Sequence, residues 1–297
     1  MNLETISTCP ICSSTFFNTF ITAKDYTTSD ELFEIVQCNQ CKFTLTNPRP
    51  SQNGIGKYYQ SENYISHSGA DKTLFDKIYL LARRVTLKQK LTLISHYKSK
   101  GELLDVGCGT GEFLNLCKQS GWGTTGIEPS DTARKKASRN HEILIYQKQD
   151  HITNQQFDII TLWHVLEHVH DLENELRKLT FLLKKDGTIF IAVPNYNSPD
   201  AKRYKEYWAG YDVPRHLWHF SKDTVTRLLQ KFELRIIEIQ PMKLDAYYVS
   251  LLSEQYKNPK QRKIINALKA IWIGLSSNLA AKKNNNYSSM IYIVKRK

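Results

Sequence analysis

The chain is short of several things before it is rich in any. No uninterrupted apolar run reaches the ~20 residues that a membrane-spanning helix needs, and the first residues carry no apolar core of the kind a secretory signal has. Cysteine is scarce, at six residues, and acidic side chains are outnumbered, 29 Asp and Glu against 41 Lys and Arg. The first two absences argue against secretion and membrane insertion, and predict a cytoplasmic protein. Thiols stay reduced there, so the cysteines predict metal ligands or buried thiols and not disulfides. The acidic deficit leaves a formal charge of +12. That charge admits an anionic partner, whether nucleic acid, an anionic lipid surface or a phosphorylated substrate, and also serves plain solubility. What remains is an ordinary soluble composition, 41% hydrophobic and 24% charged over 297 residues, enough for one large domain with an appendage.

The stretch that organises the chain is Glu102 to Gly111, ELLDVGCGTG. A short apolar strand, Leu103 and Leu104, runs into Asp105 and then into glycines at every second position: Gly107, Gly109 and Gly111. Phe113, Leu114, Leu116 and Cys117 follow at helical spacing, so the order reads strand, tight turn, helix. Glycines there let a backbone approach a ligand closely, because a Cβ would block both the dihedrals and the approach. Glu128 lies about twenty residues beyond, after a second apolar stretch, where a carboxylate can accept from ribose hydroxyls. The pattern departs from the dinucleotide fingerprint, since the third glycine comes one residue early. A strand-end Asp would also repel a pyrophosphate.

DVGCGTG with a downstream acidic residue resembles motif I of the class I S-adenosylmethionine-dependent methyltransferases. That resemblance implies S-adenosylmethionine as cofactor, held by Asp105, Gly107, Cys108, Gly109, Gly111 and Glu128. The glycine turn would hold its methionine part and Glu128 its ribose. It implies a Rossmann-like, doubly wound α/β sheet of seven strands. The family often places an acidic residue after the third strand against the adenine amino group, which makes Asp150 a candidate; an ordinary loop or cap aspartate is the other reading. Phe157–Leu162 reads as the fourth strand and opens into WHVLEHV, close to the LEHV loop of the family. His164, nearest the strand end, is expected to face the sulfonium as a cofactor-binding or catalytic residue.

Strand five, Thr188–Val193, leads into the loop 195–220, which ends YDVPRHLWHF. An acceptor hydroxyl or activated carbon must lose a proton, and histidine is the commonest base near neutral pH. His216 and His219 are therefore base candidates, with Arg215 as an anion clamp and Tyr211 on the substrate side. PRHLWHFS resembles a segment common in bacterial small-molecule methyltransferases of this family. A packed aromatic loop with satisfied histidines is the structural alternative.

Near the N-terminus, Cys9-Pro-Ile-Cys12 and Cys38-Asn-Gln-Cys41 form two C-x₂-C pairs separated by 25 residues. Two such knuckles close a tetrahedral zinc site with no open position, as in a zinc ribbon; redox thiols or an iron site of rubredoxin type are the alternatives. The module is too small to be stable on its core, so metal binding would supply much of its folding free energy. An aromatic stretch follows, with Tyr58, Tyr59, Tyr64 and His67. It reads either as a helix face that packs the module or as a lid. Zinc-ribbon-bearing small-molecule methyltransferases place tyrosines of this segment near the cofactor, which implies Tyr64 as catalytic and His67 as substrate-contacting.

These signals divide the chain into a zinc-ribbon module (1–50), an aromatic and helical connector (51–98) and a methyltransferase domain (99–297). Residues 242–287 form a helical insertion before the last strand, with an apolar face of Ile264, Ile265, Leu268, Ile271, Trp272 and Leu275. Lys260, Arg262, Lys263, Lys269, Lys282 and Lys283 flank it, so residues 260–283 can meet a membrane surface or a lipid-linked substrate, or simply cap their own domain. The expected reaction is methyl transfer to oxygen or carbon of a small acceptor: a sugar, sugar nucleotide or lipid-linked precursor. An RNA methyltransferase is the first alternative. Against it, the cysteine module has only Lys24 and Lys42 before Arg49, and the chain lacks the Asn/Asp-Pro-Pro-Tyr/Phe motif of base-amino methylation. A non-catalytic scaffold or nucleic-acid-binding protein is the second.

Overall fold

The computed structural model describes residues 2–59, 74–153 and 155–297. Tyr64 and His67 lie outside the described residues. The cysteine region contains β1 (Leu3–Glu4), β2 (Phe17–Lys24), β3 (Leu32–Cys38), β4 (Thr44–Thr46) and β5 (Arg49–Pro50). After α1 (Leu74–Tyr97) come β6 (Glu102–Val106), α2 (Glu112–Gln119), β7 (Gly123–Ile127), α3 (Asp131–His141) and β8 (Leu144–Tyr146). The chain continues with β9 (Phe157–Trp163), α4 (Leu172–Leu182), β10 (Leu183–Pro194), α5 (Pro199–Tyr204) and β11 (Trp218–His219). It closes with α6 (Lys222–Gln230), β12 (Leu234–Pro241), α7 (Asp245–Lys257), α8 (Lys263–Ala281) and β13 (Ser289–Arg296).

Seven strands form one sheet in the order β12-β13-β10-β9-β6-β7-β8, with β13 antiparallel to both its neighbours and β6 to β10 parallel. Period-two alternation sorts its side chains onto two faces. Leu103, Ile159 and Phe190 pack with Phe113, Leu114, Cys117 and Ile94 on one side. Leu104, Ile160, Ile189 and Ile191 pack with Leu172, Leu176, Leu179 and Leu228 on the other. The helices start where side chains satisfy free N–H groups. Ser130 accepts from Ala133, Asp171 from Asn174, Ser198 from Ala201, and Ser221 forms a reciprocal capping box with Thr224.

The cysteine region is not a tethered bead. Its sheet runs β11-β4-β3-β2, so the loop after β10 supplies the edge strand, pairing Trp218 with Leu45 and His219 with Thr44. Cys9, Cys38, Cys41, Phe43 and Leu45 share a buried cluster with Leu217, Trp218 and Phe220. The loop after β10 is thus built on the cysteine module.

The insertion comprises α7 and α8. Gly274 sits where a Cβ would lie 2.7 Å from the Tyr247 ring, so the two helices approach closely. The sequence predicts one apolar face on α8, and the face exists, but it points outward. Inward lie Asn266, Ala270, Ile273, Gly274, Ser277 and Ala281. Ile264, Leu268, Ile271, Trp272, Leu275 and Leu279 are exposed, Trp272 at 66%. By length and mean hydropathy alone α8 is the one described helix that could cross a membrane, but Asn, Lys and Ser interrupt its apolar run and 39% of it is buried in the protein. Ser277 Oγ donates to Asp200 at 2.7 Å, as do Ser288 and Trp208 at 2.6 and 2.9 Å, and this buried carboxylate ties α5, α8 and the loop together.

Candidate active site

The turn after β6 is what the glycine spacing predicts. Gly107, Gly109 and Gly111 have φ of 68°, 56° and 80°, in the left-handed region that side chains resist. A Cβ on Gly107 would lie 2.6 Å from Val165, whereas one on Gly109 would meet nothing within 4 Å among the described residues. The backbone of Gly109 is bare on that side. Gly107 N and Cys108 N both donate to Ile127 O, at 2.7 and 3.0 Å. Glu128, just beyond β7, accepts from Gly109 N at 2.9 Å and from Ser130 N at 2.8 Å. An open glycine cradle with a carboxylate hinged to its middle residue fits S-adenosylmethionine.

Other members of the predicted cofactor set act from behind. Asp105 is 2% exposed, and Thr161 Oγ1 donates to it at 2.6 Å. Burial pushes its carboxyl up to about 7, against the hydrogen bond from Thr161 and the charge of Lys90. The Cys108 side chain is buried against Gly126, leaving its backbone to the turn. Asp150 is exposed on a short turn beyond β8, ion-paired to Lys178 at 2.6 Å. Lys90 reaches in from α1, its ammonium 4.5 Å over the Trp163 ring. Burial lowers its pKa, which the charges of Asp105 and Asp245 partly offset.

Beyond β9 the chain turns sharply at His164, whose φ is 58°. Its Nδ1 lies 3.2 Å from Glu167 Oε1 and its Nε2 3.0 Å from Asp245 Oδ2. Two carboxylates that can only accept require two ring donors, which is the imidazolium. Burial opposes that charge, yet Asp245 and Glu167 outweigh it and push the pKa to about 10. His164 is therefore neither a base nor a partner for a sulfonium; it is a cation clamped between acids. Glu167 is fully buried. Burial would raise its pKa, but the hydrogen bond and charge of His164 hold it below the usual carboxylate range.

The LEHV turn and the loop after β10 meet at three side chains. Glu167, His168 and His216 each offer one ligand atom, and those atoms all lie within 4.8 Å of one another. The rings of His168 and His216 stand edge to face, centroids 4.6 Å apart. Burial and then the charge of His216 lower His168 to about 4, so its ring is neutral.

Three predicted residues of that loop have other work. His219 is 3% exposed on β11, with Nε2 3.0 Å from Thr46 Oγ1 and burial pushing its pKa well down. It is a pin between the cysteine sheet and the loop, not a base. Arg215 is 1% exposed, bonded to Asp25 at 3.0 Å, to Asp212 at 2.7 Å and to Tyr58 O at 3.1 Å. Its donors are spent inside the protein, so it clamps no substrate. Tyr211 is buried edge to face with Trp208 and His219 and makes core packing.

Sequence reasoning missed the partners Thr161, Lys90 and Asp245, which carry no local signal. Tyr59 is singled out within the aromatic stretch, and its hydroxyl lies 3.0 Å from His168 Nδ1.

Among the described residues the four cysteines converge as their spacing predicts. Cys9 and Cys41 sulfurs are 3.4 Å apart and those of Cys12 and Cys38 3.5 Å, with no disulfide between them. Burial pushes the Cys9 thiol up to about 11 and Cys41 higher still, so their thiolates need a cation alongside. The all-thiolate set in this geometry fits Zn²⁺ in a closed structural site.

A family model described as a methyltransferase domain matches residues 79–239. A ubiquinone biosynthesis O-methyltransferase from Actinobacillus pleuropneumoniae is 36% identical over 107 residues, covering 32% of this chain and 46% of that protein. Its counterpart from Coxiella burnetii is 34% identical over 120 residues, 37% of this chain and 49% of that one. The chain thus spans about half the length of the curated relatives it matches. Magnesium protoporphyrin IX methyltransferase from Synechocystis, solved with S-adenosylhomocysteine bound, aligns over 82% of this chain and 99% of that one, with a TM-score of 0.53 and 12% identity. That likeness is one of fold, and it agrees with the strand order above. With the glycine turn, the hinged Glu128 and a domain match over more than half its residues, the chain belongs to the class I S-adenosylmethionine-dependent methyltransferases.

Proposed function

We propose that this protein transfers a methyl group to an oxygen atom of a small acceptor held between the LEHV turn and the loop after β10. The observation that carries the reading is the convergence of Glu167, His168 and His216 next to Val165, which itself rests on the glycine turn. S-adenosylmethionine supplies a methyl carbon on an already activated leaving group, so the chain must mainly position the reactants and remove a proton. Gly109 and Glu128 hold the cofactor, and buried Asp105 braces the turn from below. His216 donates Nδ1–H to Gly210 O at 2.9 Å, which leaves Nε2 with a lone pair to take the acceptor's proton. Glu167 Oε1, 4.0 Å from that nitrogen, favours the resulting positive charge. The O-methyltransferase relatives support oxygen as the atom methylated.

Within the acceptor classes that the sequence admits, the outward apolar face of α8 favours a lipid-linked precursor over a free sugar or sugar nucleotide. Exposed Ile264, Leu268, Ile271 and Trp272 with lysines alongside form the amphipathic pattern that rests in a headgroup layer. The test is transfer of label from methyl-labelled S-adenosylmethionine into a host extract separated into lipid, small polar and RNA fractions. Label in lipid supports the full reading. Label in the polar fraction keeps the small-molecule enzyme and removes the lipid tail. Label in RNA overturns the acceptor assignment.

A further inference from the structure

We propose that Glu167, His168 and His216 bind a divalent first-row transition-metal ion, a second metal centre apart from the four cysteines, and that this ion holds the acceptor oxygen. The inference rests on the methyltransferase reading and deepens it, changing His216 from proton acceptor to ligand.

Three independent features of the cluster fit a metal. The ligand atoms are already gathered within 4.8 Å of one another, without movement of any backbone. Each ring faces a carbonyl oxygen, which can only accept; at His168 the Tyr59 hydroxyl, 3.0 Å from the same Nδ1, can accept alongside it. His168 Nδ1 lies 3.0 Å from Arg215 O, and His216 Nδ1 lies 2.9 Å from Gly210 O. A carbonyl oxygen cannot donate, so in each neutral ring Nδ1 carries the hydrogen and Nε2 the lone pair. Metal-ligating histidines are held in this way, through the ring nitrogen that does not touch the ion. The third feature is Glu167. Its Oε1 faces His164 Nδ1, while Oε2 is buried with no hydrogen-bond partner among the described residues, on a side chain 1% exposed. A carboxylate oxygen left unpaired in the interior costs several kcal/mol unless a cation meets it.

The neighbours define what the site is not. Asp212 Oδ2 lies 3.9 Å from His216 Nε2, but Asp212 is held by Arg215. His164 is already bound at both nitrogens. That leaves two imidazoles and one carboxylate, a set suited to Mn²⁺, Fe²⁺, Co²⁺ or Zn²⁺ and unlike the all-oxygen cages of Ca²⁺ or Mg²⁺. Three protein ligands leave coordination positions open, as in catalytic and not structural sites. The ligand chemistry that would fill them is an acceptor hydroxyl, best with a second oxygen on the adjacent carbon for chelation.

In that arrangement the acceptor hydroxyl loses its proton to solvent on coordination, and its oxygen forms the new bond to the methyl carbon. The carbon–sulfur bond breaks in line, its electron pair returns to sulfur, and neutral S-adenosylhomocysteine leaves. No electron is gained or lost by the ion. It lowers the hydroxyl pKa and fixes the oxygen's direction.

The test uses the full chain with zinc retained in the cysteine site. After dialysis against a chelator, Mn²⁺ is titrated and followed by electron paramagnetic resonance, with elemental analysis for zinc and calorimetry for S-adenosylhomocysteine. One bound Mn²⁺ per chain is expected. Glu167→Gln and His168→Ala should each weaken it on the order of 100-fold, with zinc content and S-adenosylhomocysteine binding unchanged. If Glu167→Gln loses zinc and cofactor together through misfolding, His216→Gln serves as the second variant. No Mn²⁺ binding, with Co²⁺ and added Zn²⁺ also failing to bind beyond the cysteine zinc, overturns the metal proposal. So does Mn²⁺ binding that is unaltered in the variants. In either case intact cofactor binding would leave the methyltransferase reading standing, with His216 as base; loss of cofactor binding by the wild-type chain would refute that reading instead.

Discussion

Replacing Arg215 separates a strut from a substrate clamp. In Arg215→Met the side-chain volume stays close to the original while every donor is lost. The two carboxylates it meets fare differently. Asp25 keeps donors from Thr27 N, Thr28 N, Ser29 N and Ser29 Oγ, between 2.9 and 3.2 Å, and stays satisfied. Asp212 has no such support. Burial alone would raise its pKa, and Arg215 is the largest of the charges that hold it down. Tyr58 O loses one donor, at 3.1 Å, and keeps Thr28 Oγ1 at 3.2 Å. Removing one partner of a fully buried pair costs about 3–5 kcal/mol, and the Asp212 side chain, 25% exposed, keeps some water, so the loss here is about 2–3 kcal/mol. For a chain of this size that lowers the midpoint of thermal unfolding by roughly 2 °C per kcal/mol, or about 4–6 °C in all. Because Asp212 carries most of the damage, Arg215→Met with Asp212→Asn should recover part of the loss, a coupling that a double-mutant cycle measures. Thermal unfolding is followed together with acceptor KM at a temperature where both proteins are folded. An unchanged midpoint with a raised KM would refute the strut and restore Arg215 as an anion clamp.

Glu128→Ala should weaken S-adenosylhomocysteine binding by roughly 10-fold or more, because hydrogen bonds to a charged group contribute about 1.5–3 kcal/mol, and should leave zinc content unchanged; calorimetry with elemental analysis checks both. Cys38→Ser should lower zinc below one per chain and expose the cluster around Trp218, read as a shift of tryptophan emission, since Cys38 and Trp218 share one buried core. His164 has a folded pKa raised to about 10, above its ordinary 6.5, so its contribution to stability is complete below 6.5 and is lost as pH rises through 10. Denaturant unfolding of the wild type should therefore fall over that window more steeply than that of His164→Gln, and parallel curves would remove the carboxylate clamp.

The parts of this fold that were legible in the sequence are those whose chemistry is local. Glycines at 107, 109 and 111 announce their left-handed backbone wherever they occur, and paired cysteines announce an ion. Strand identities followed from apolar runs, and β9 and β10 contain the runs Phe157–Leu162 and Thr188–Val193 that announced them. A histidine in a loop announces nothing until its neighbour is known. His219 meets Thr46 and Arg215 meets Asp25, each more than 170 positions away in the chain. Only the closed fold makes the first a pin, the second a strut and His164 a cation. The face of α8 failed differently. Periodicity tells that apolar side chains share a side, not which side turns inward, and here a close contact at Gly274 took the small side.

That choice has a consequence for how the protein changes over time. Apart from Ile273 and Asn266 the residues that seat α8 on the domain are small, and the large outward ones contribute little to folding, so selection can rewrite the outer face without disturbing the enzyme beneath it. A charge at Leu268 or Trp272 would leave the unfolding midpoint near its original value and alter only what the surface meets. What the outer face of α8 meets and what the domain beneath it does are thereby written on opposite sides of one helix, and each can drift without the other.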